Sequence, residues 1–177
     1  PYMRQALHWF PRHPASRYPV SELYHIHGNL GSHLTALGRL DSAERHLTVS
    51  LELASAARAP RAMAVAWWGL GNLDITNGDP QRALDRYHRS WIIADSAKDH
   101  DIGVDALVGK ALALAHGGHR MDARSALKHA FDYLQEHRHQ VGLVTQRNFA
   151  RQAARAFQHI GALDASIDAL AEWHRID

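Results

Sequence analysis

Small and apolar residues recur along this chain at helical spacing, and glycines interrupt them at regular points. His27, Leu30, Gly31 and Leu34 recur at three- and four-residue steps, tracing one face of a helix that begins near Tyr24. Gly38 is expected to end that helix, because glycine accepts the left-handed conformation needed just past a C-terminus. Asp41 is the expected N-cap of a second helix, with Glu44 three residues on as in a capping box. Ala43, Leu47, Ser50, Leu51 and Ala54 give that helix its packing face.

The same order of features returns three times. Trp67, Leu70, Gly71 and Asp74 stand in register with His27, Leu30, Gly31 and Leu34. Gly78 is the stop, Asp79-Pro80 reads as a cap with proline at the first helical position, and Ala83, Tyr87, Ser90 and Ala94 follow. A third unit has Leu107, Ala111 and Leu114 before Gly118, then Ala123, Leu127 and Ala130. A fourth has Ala150, Ala154 and Phe157 before Gly161, then Asp164 as cap, Ala165 and Leu170. Gly38, Gly78, Gly118 and Gly161 thus recur at intervals of 40, 40 and 43 residues, a period that marks stacked supersecondary units.

The pattern predicts helices over 21–37, 41–57, 60–77, 80–97, 101–117, 121–136, 141–160 and 164–175. A further helix is expected over 2–10, with Trp9-Phe10 read first as the remnant of a preceding unit and second as an anchor against the first hairpin, and Pro11 to Pro19 reads as a connector. The expected organisation is therefore residues 1–19 as helix and connector, and 20–177 as one repeat domain with units near 24–57, 64–97, 104–137 and 147–177. Gly31, Gly71, Ala111 and Ala154 share one position on the first helices, and Ala43, Ala83, Ala123 and Ser166 share one on the second. Small side chains on both let the backbones approach, and Leu47, Tyr87, Leu127 and Leu170 fill the space beside them.

Trp67, Leu70, Gly71, Gly78, Ala83, Tyr87 and Ser90 resemble the pattern of the tetratricopeptide repeat family, position by position. The first unit has His27 in place of the Trp, and the third and fourth lack the Leu-Gly pair. The period is 40 residues here, against about 34 in the family. Longer repeats of this kind occur in the repeat domains of bacterial transcription activators resembling the maltose regulator, in related signalling ATPases and in some eukaryotic adaptors. The resemblance implies an all-α, right-handed solenoid of about four antiparallel helical hairpins, with a concave face lined by the first helix of each repeat. Transferred residue by residue, that face comprises His25, Ser32 and Thr35; Trp68, Asn72 and Thr76; Asp105, Val108, Leu112 and His116; and Asn148, Arg151, Arg155, Gln158 and His159. Asn72 matches an Asn that clamps a peptide carboxylate in chaperone-binding members, but Trp68 replaces the accompanying Lys.

Two features of that face carry chemistry. Adjacent helical residues point about 100° apart, so Trp67 and Trp68 cannot share an environment; Trp67 takes the core position and Trp68 either anchors a peptide or packs on the next hairpin. Arg147, Arg151, Arg155 and His159 are spaced by four and form one stripe, with no acid between Glu136 and Asp164. Such a stripe suits a carboxylate or phosphate through bidentate contacts, or is a solvated or paired face.

Composition narrows the function. The 177 residues are 46% hydrophobic and 21% charged, as in a globular protein, and no apolar run approaches a membrane span. There is no Cys, which excludes disulfides, thiolate metal sites and a Cys nucleophile, and suits the cytoplasm. A net charge of +2 does not indicate a nucleic-acid surface. Lysine occurs only at Lys98, Lys110 and Lys128; with abundant Ala and Arg this reads as a bacterial coding bias, and the start at Pro1 reads as a piece of a longer protein. Fifteen histidines invite a metal, but no pair is spaced by four. His116, His119, His137 and His139 fall in connectors and read as solvated turn residues, with pH sensing as plausible as metal. There is no phosphate loop and no Gly-x-Ser-x-Gly elbow, and Asp99 and Asp101 read as caps and surface charges.

The expectation is a non-catalytic, cofactor-free module that binds a protein or peptide partner, in a larger bacterial transcriptional regulator or signalling ATPase. A domain sensing a small molecule, with an anionic effector as the second candidate ligand, and a scaffold or homodimerising segment are the alternatives.

Overall fold

A computed structural model describes residues 19–161. The helices expected over 2–10 and 164–175, the Trp9-Phe10 pair, most of the Pro11–Pro19 connector and the Asp164 cap lie outside the described residues. Those described are all-helical: α1 Val20–Ala36, α2 Leu40–Ala56, α3 Pro60–Asn77, α4 Pro80–Ser96, α5 His100–His116, α6 Arg120–Glu136 and α7 Leu143–His159. None is long and apolar enough to cross a membrane. The first helices of three pairs start at 20, 60 and 100, and the second at 40, 80 and 120, so the 40-residue sequence period is also a backbone period.

Neighbouring helices pack in chain order. Within each pair they run antiparallel. Ser50, late in α2, donates to the carbonyl of Tyr24, early in α1, at 2.7 Å. Forty residues on, Ser90 donates to the Ala64 carbonyl at 2.8 Å. Both serines are buried, and the bond satisfies a hydroxyl that burial would otherwise penalise.

The turns follow one scheme. Gly38, Gly78 and Gly118 are left-handed, with φ of 70°, 79° and 79°. The next residue's N–H reaches back five residues: Arg39 to Leu34 and Asp79 to Asp74, each at 2.9 Å, and His119 to Leu114 at 3.0 Å. The turns between pairs are built the same way without glycine. Arg58 and Lys98 take the left-handed position, with φ of 50° and 57°. Asp79 caps α4 through the Arg82 N–H at 3.0 Å, with Pro80 as first helical residue, and Asp99 caps α5 through Ile102 at 3.2 Å. The cap expected at Asp41 does not form. The helix starts one residue earlier, Arg39 is its N-cap without a side-chain bond, and Asp41 sits inside the first turn.

The interior also repeats. Leu47 of α2 lies between Gly31 of α1 and Gly69 of α3: a Cβ on either would fall 2.5 or 2.8 Å from its side chain. Tyr87 of α4 lies between Gly71 and Gly109, where a Cβ would fall 2.7 or 2.6 Å from its ring. A helix that is packed on both sides must be apolar nearly all round. Accordingly α5 is buried without interruption from Ile102 to Gly109.

The pattern breaks after α6. The three residues that lengthen the last interval lie in the connector, since α7 starts at 143 rather than 140. Gln146 ties the connector down by donating to the carbonyls of Val141 at 2.8 Å and Arg138 at 3.2 Å, and the Gly142 N–H donates to Asp101 at 2.9 Å. Helix α7 packs chiefly on α5 and barely on α6, unlike α3 and α5, which rest on the helix before them. Its buried residues are Thr145, Gln146, Phe149, Ala153 and Ala156, while Ala150, Ala154 and Phe157, the expected packing face, are half-buried. The face turned inward is thus one residue, about 100°, from the expected one.

Candidate ligand-binding face

Tyr87 organises the face shared by α3 and α5. With no side chain at Gly71 or Gly109 its ring passes between the two helices, and its hydroxyl donates to Oδ1 of Asn72 at 2.7 Å. Burial pushes the phenol's pKa up, as do the carboxylates of Asp74 and Asp105, so it remains a donor. The Asn72 amide nitrogen makes no hydrogen bond among the described residues. Trp68, one turn before Asn72, packs on the cluster of Ala83, Tyr87 and Ala113. Its Nε1–H is buried and makes no hydrogen bond among the described residues. Trp67 turns instead to Leu34, Ala43, Leu47, Leu70 and Leu73, with the Arg89 guanidinium 5.1 Å above its ring.

Asp105 lies one turn before Gly109, on the side of α5 that meets Tyr87. It is 8% exposed, and its Oδ1 is buried without a hydrogen-bond partner among the described residues. Burial, and secondarily the charge of Asp101, push its pKa up to about 7. Trp68, Asn72 and Asp105 thus each neighbour Tyr87, through packing, a hydrogen bond and charge respectively.

The other positions divide. His25 is exposed with its ring edge-on to Tyr24 at 4.6 Å. Ser32 and Thr76 are exposed, but their hydroxyls donate back to the carbonyls of Gly28 and Asn72, as that of buried Thr35 does to Gly31. Val108 and Leu112 are core residues. On α7, Asn148 is half-buried, and Arg151, Arg155 and Gln158 are exposed. Arg151 is two residues from both Phe149 and Ala153, so it points away from the buried face. No ion pair to Arg147, Arg151 or Arg155 forms among the described residues. His159 meets His116 across the ends of α7 and α5, ring centroids 3.8 Å apart.

Two groupings escaped the sequence reading. The first is an ion cluster joining α2, α3 and α4. Arg82 and Arg86 both reach Glu44 Oε1, at 3.0 and 3.2 Å, and Asp74, at 3.3 and 3.1 Å. Asp74 is 1% exposed, and its pKa is raised because burial outweighs the two arginines. Half-buried on α2, Glu44 is held below its usual range, chiefly by the Arg86 hydrogen bond. The signal was present: an acid occupies the register position where the other repeats have Leu34 and Leu114. The second grouping is of histidine pairs. His27 Nδ1 lies 2.9 Å from His46 Nδ1, and His100 stacks on His137 at 3.9 Å. Sequence separation hid both, as it hid His116 and His159. Among the described residues no three metal-ligating side chains converge.

Compared with models of known protein families and with curated proteins, the sequence matches none.

Proposed function

We propose that this chain is a non-catalytic binding module, a right-handed tetratricopeptide-like solenoid whose α3–α5 face takes up a peptide or protein segment. The repetition at 40 residues of turns, buried serines and glycine-flanked side chains supports the stacked-hairpin reading. The observation that carries the binding reading is that Trp68 Nε1 and Asp105 Oδ1, both on side chains that neighbour Tyr87, are buried without hydrogen-bond partners among the described residues. Buried polar groups are normally satisfied, and a peptide backbone offers both donors and acceptors. The setting we favour is the interaction region of a larger cytoplasmic bacterial transcriptional regulator or signalling ATPase, on the resemblance and composition alone. Selection from a displayed peptide library tests the reading. Binders should lose at least roughly tenfold in affinity to Trp68→Ala and Asn72→Ala, as expected for interface anchors. Absence of any binder, with concentration-dependent dimerisation in light scattering, favours the scaffold alternative. A second reading, a small anionic effector, rests on the arginines of α7, which form no ion pair among the described residues.

A further inference from the structure

We propose that Asp105, together with Trp68 and Asn72, forms a subsite for the cationic side chain of a lysine- or arginine-bearing peptide. The proposal rests on the binding-module reading and specifies what that face selects.

A carboxyl group this buried is normally paired with a cation or a set of hydrogen-bond donors. Asp105 has neither: it makes no ion pair or hydrogen bond among the described residues, and the charge that acts on it is the like charge of Asp101. The lysine on the same helix, Lys110, is spent elsewhere, with its ammonium 5.3 Å from the centroid of the Trp91 ring. Trp68 adds an aromatic surface of the kind that attracts ammonium and guanidinium groups. The remaining unbonded groups have the opposite sense: Trp68 Nε1–H and the Asn72 amide nitrogen are donors. A basic peptide meets both needs at once, the side-chain cation at Asp105 and a neighbouring carbonyl at the donors. A free polyamine meets only the first, and an anion is repelled.

An array of N-acetylated nonapeptides, identical except for Lys, Arg, norleucine or Glu at the centre and repeated in varied backgrounds, tests this. The wild-type chain should retain Lys and Arg peptides roughly tenfold more than their norleucine counterparts, the scale of one charge-assisted contact. Asp105→Asn, an isosteric change that removes a buried charge, should melt no lower than wild type and lose the preference. Retention by the wild type should also rise between about pH 6 and pH 8, as a carboxyl titrating near 7 ionises. Peptides retained without basic preference, or a preference that survives in Asp105→Asn, overturn the subsite and leave the binding module standing. Retention of no peptide in any background overturns both.

Discussion

The Tyr87 hydroxyl reaches Asn72 at 2.7 Å only because Gly71 and Gly109 leave a slot for its ring. An alanine Cβ at Gly109 would sit 2.6 Å from the ring, and the ring has no room to retreat since Gly71 bounds its other side. Gly109→Ala should therefore destabilise by about 1–3 kcal/mol, despite alanine's better helix propensity of about 1 kcal/mol. Tyr87→Phe should cost about 1 kcal/mol, the lost hydrogen bond. Urea unfolding measures both, and a Gly109→Ala variant as stable as wild type would disprove the tight slot.

Arg86 is the more buried arginine of the ion cluster, its side chain 14% exposed against 49% for Arg82, and it touches both Glu44 and buried Asp74. Arg86→Ala leaves Asp74 with only the more distant Arg82 and should cost about 3 kcal/mol. The double change Asp74→Leu with Arg86→Leu restores the residue type that stands at Leu34 and Leu114, and should be far milder than the sum of the single changes. A double-mutant cycle by thermal melting reads the coupling. Additive effects would show that the two side chains act independently.

Asp105 gives stability a falling limb as pH rises. Unfolded, its carboxyl titrates near about 3.9; folded, it titrates at about 7. Between those values the folded state holds the extra proton, so stability is full at low pH and declines as pH rises through the interval. Asp105→Asn should remove that decline and gain on wild type most at and above neutral pH. Parallel slopes for the two proteins across pH 4–7 would refute the raised carboxyl.

The histidine pairs act in the opposite sense. Burial lowers the pKa of His27, His46 and His116, reinforced by His46 at His27 and by His159 at His116. Their folded pKa values lie below the unfolded value of about 6.5. The stability they permit is therefore complete above that value and lost as pH falls below it. His27→Gln and His116→Gln should each flatten the acid side of the stability profile, followed by chemical denaturation at closely spaced pH. An unchanged acid limb in the double variant would exclude these rings as its source.

What was legible in the sequence was whatever repeats. Gly38, Gly78 and Gly118 gave the turns, and Asp79-Pro80 a cap, because these depend on local backbone chemistry. Asp41 misled because a capping side chain and a first-turn acid differ by one or two positions in the same sequence context. The interval of 43 warned that the last unit is irregular, yet not that α7 would turn Phe149 inward instead of Ala150. That outcome depends on how the connector seats, through Gln146 and Asp101, which no periodicity encodes. The partners of Asp74 and the pairing of His116 with His159 are likewise contacts between distant segments, visible only once the helices are placed.

The one-residue turn of α7 changes what its arginines can do. Pointing away from Phe149 and Ala153 and unpaired among the described residues, Arg147 and Arg151 are ligand contacts only for something that approaches the outer face. Substituting exposed, unpaired side chains shifts stability by less than about 0.5 kcal/mol, so Arg151→Glu with Arg155→Glu should melt with the wild type. If the stripe takes up anions, inorganic phosphate or pyrophosphate should raise the wild-type melting temperature, less so at high salt, and should leave the double variant unmoved. A double variant that is itself destabilised by more than about 1 kcal/mol would instead mean that these arginines are structural, with partners supplied from outside residues 19–161.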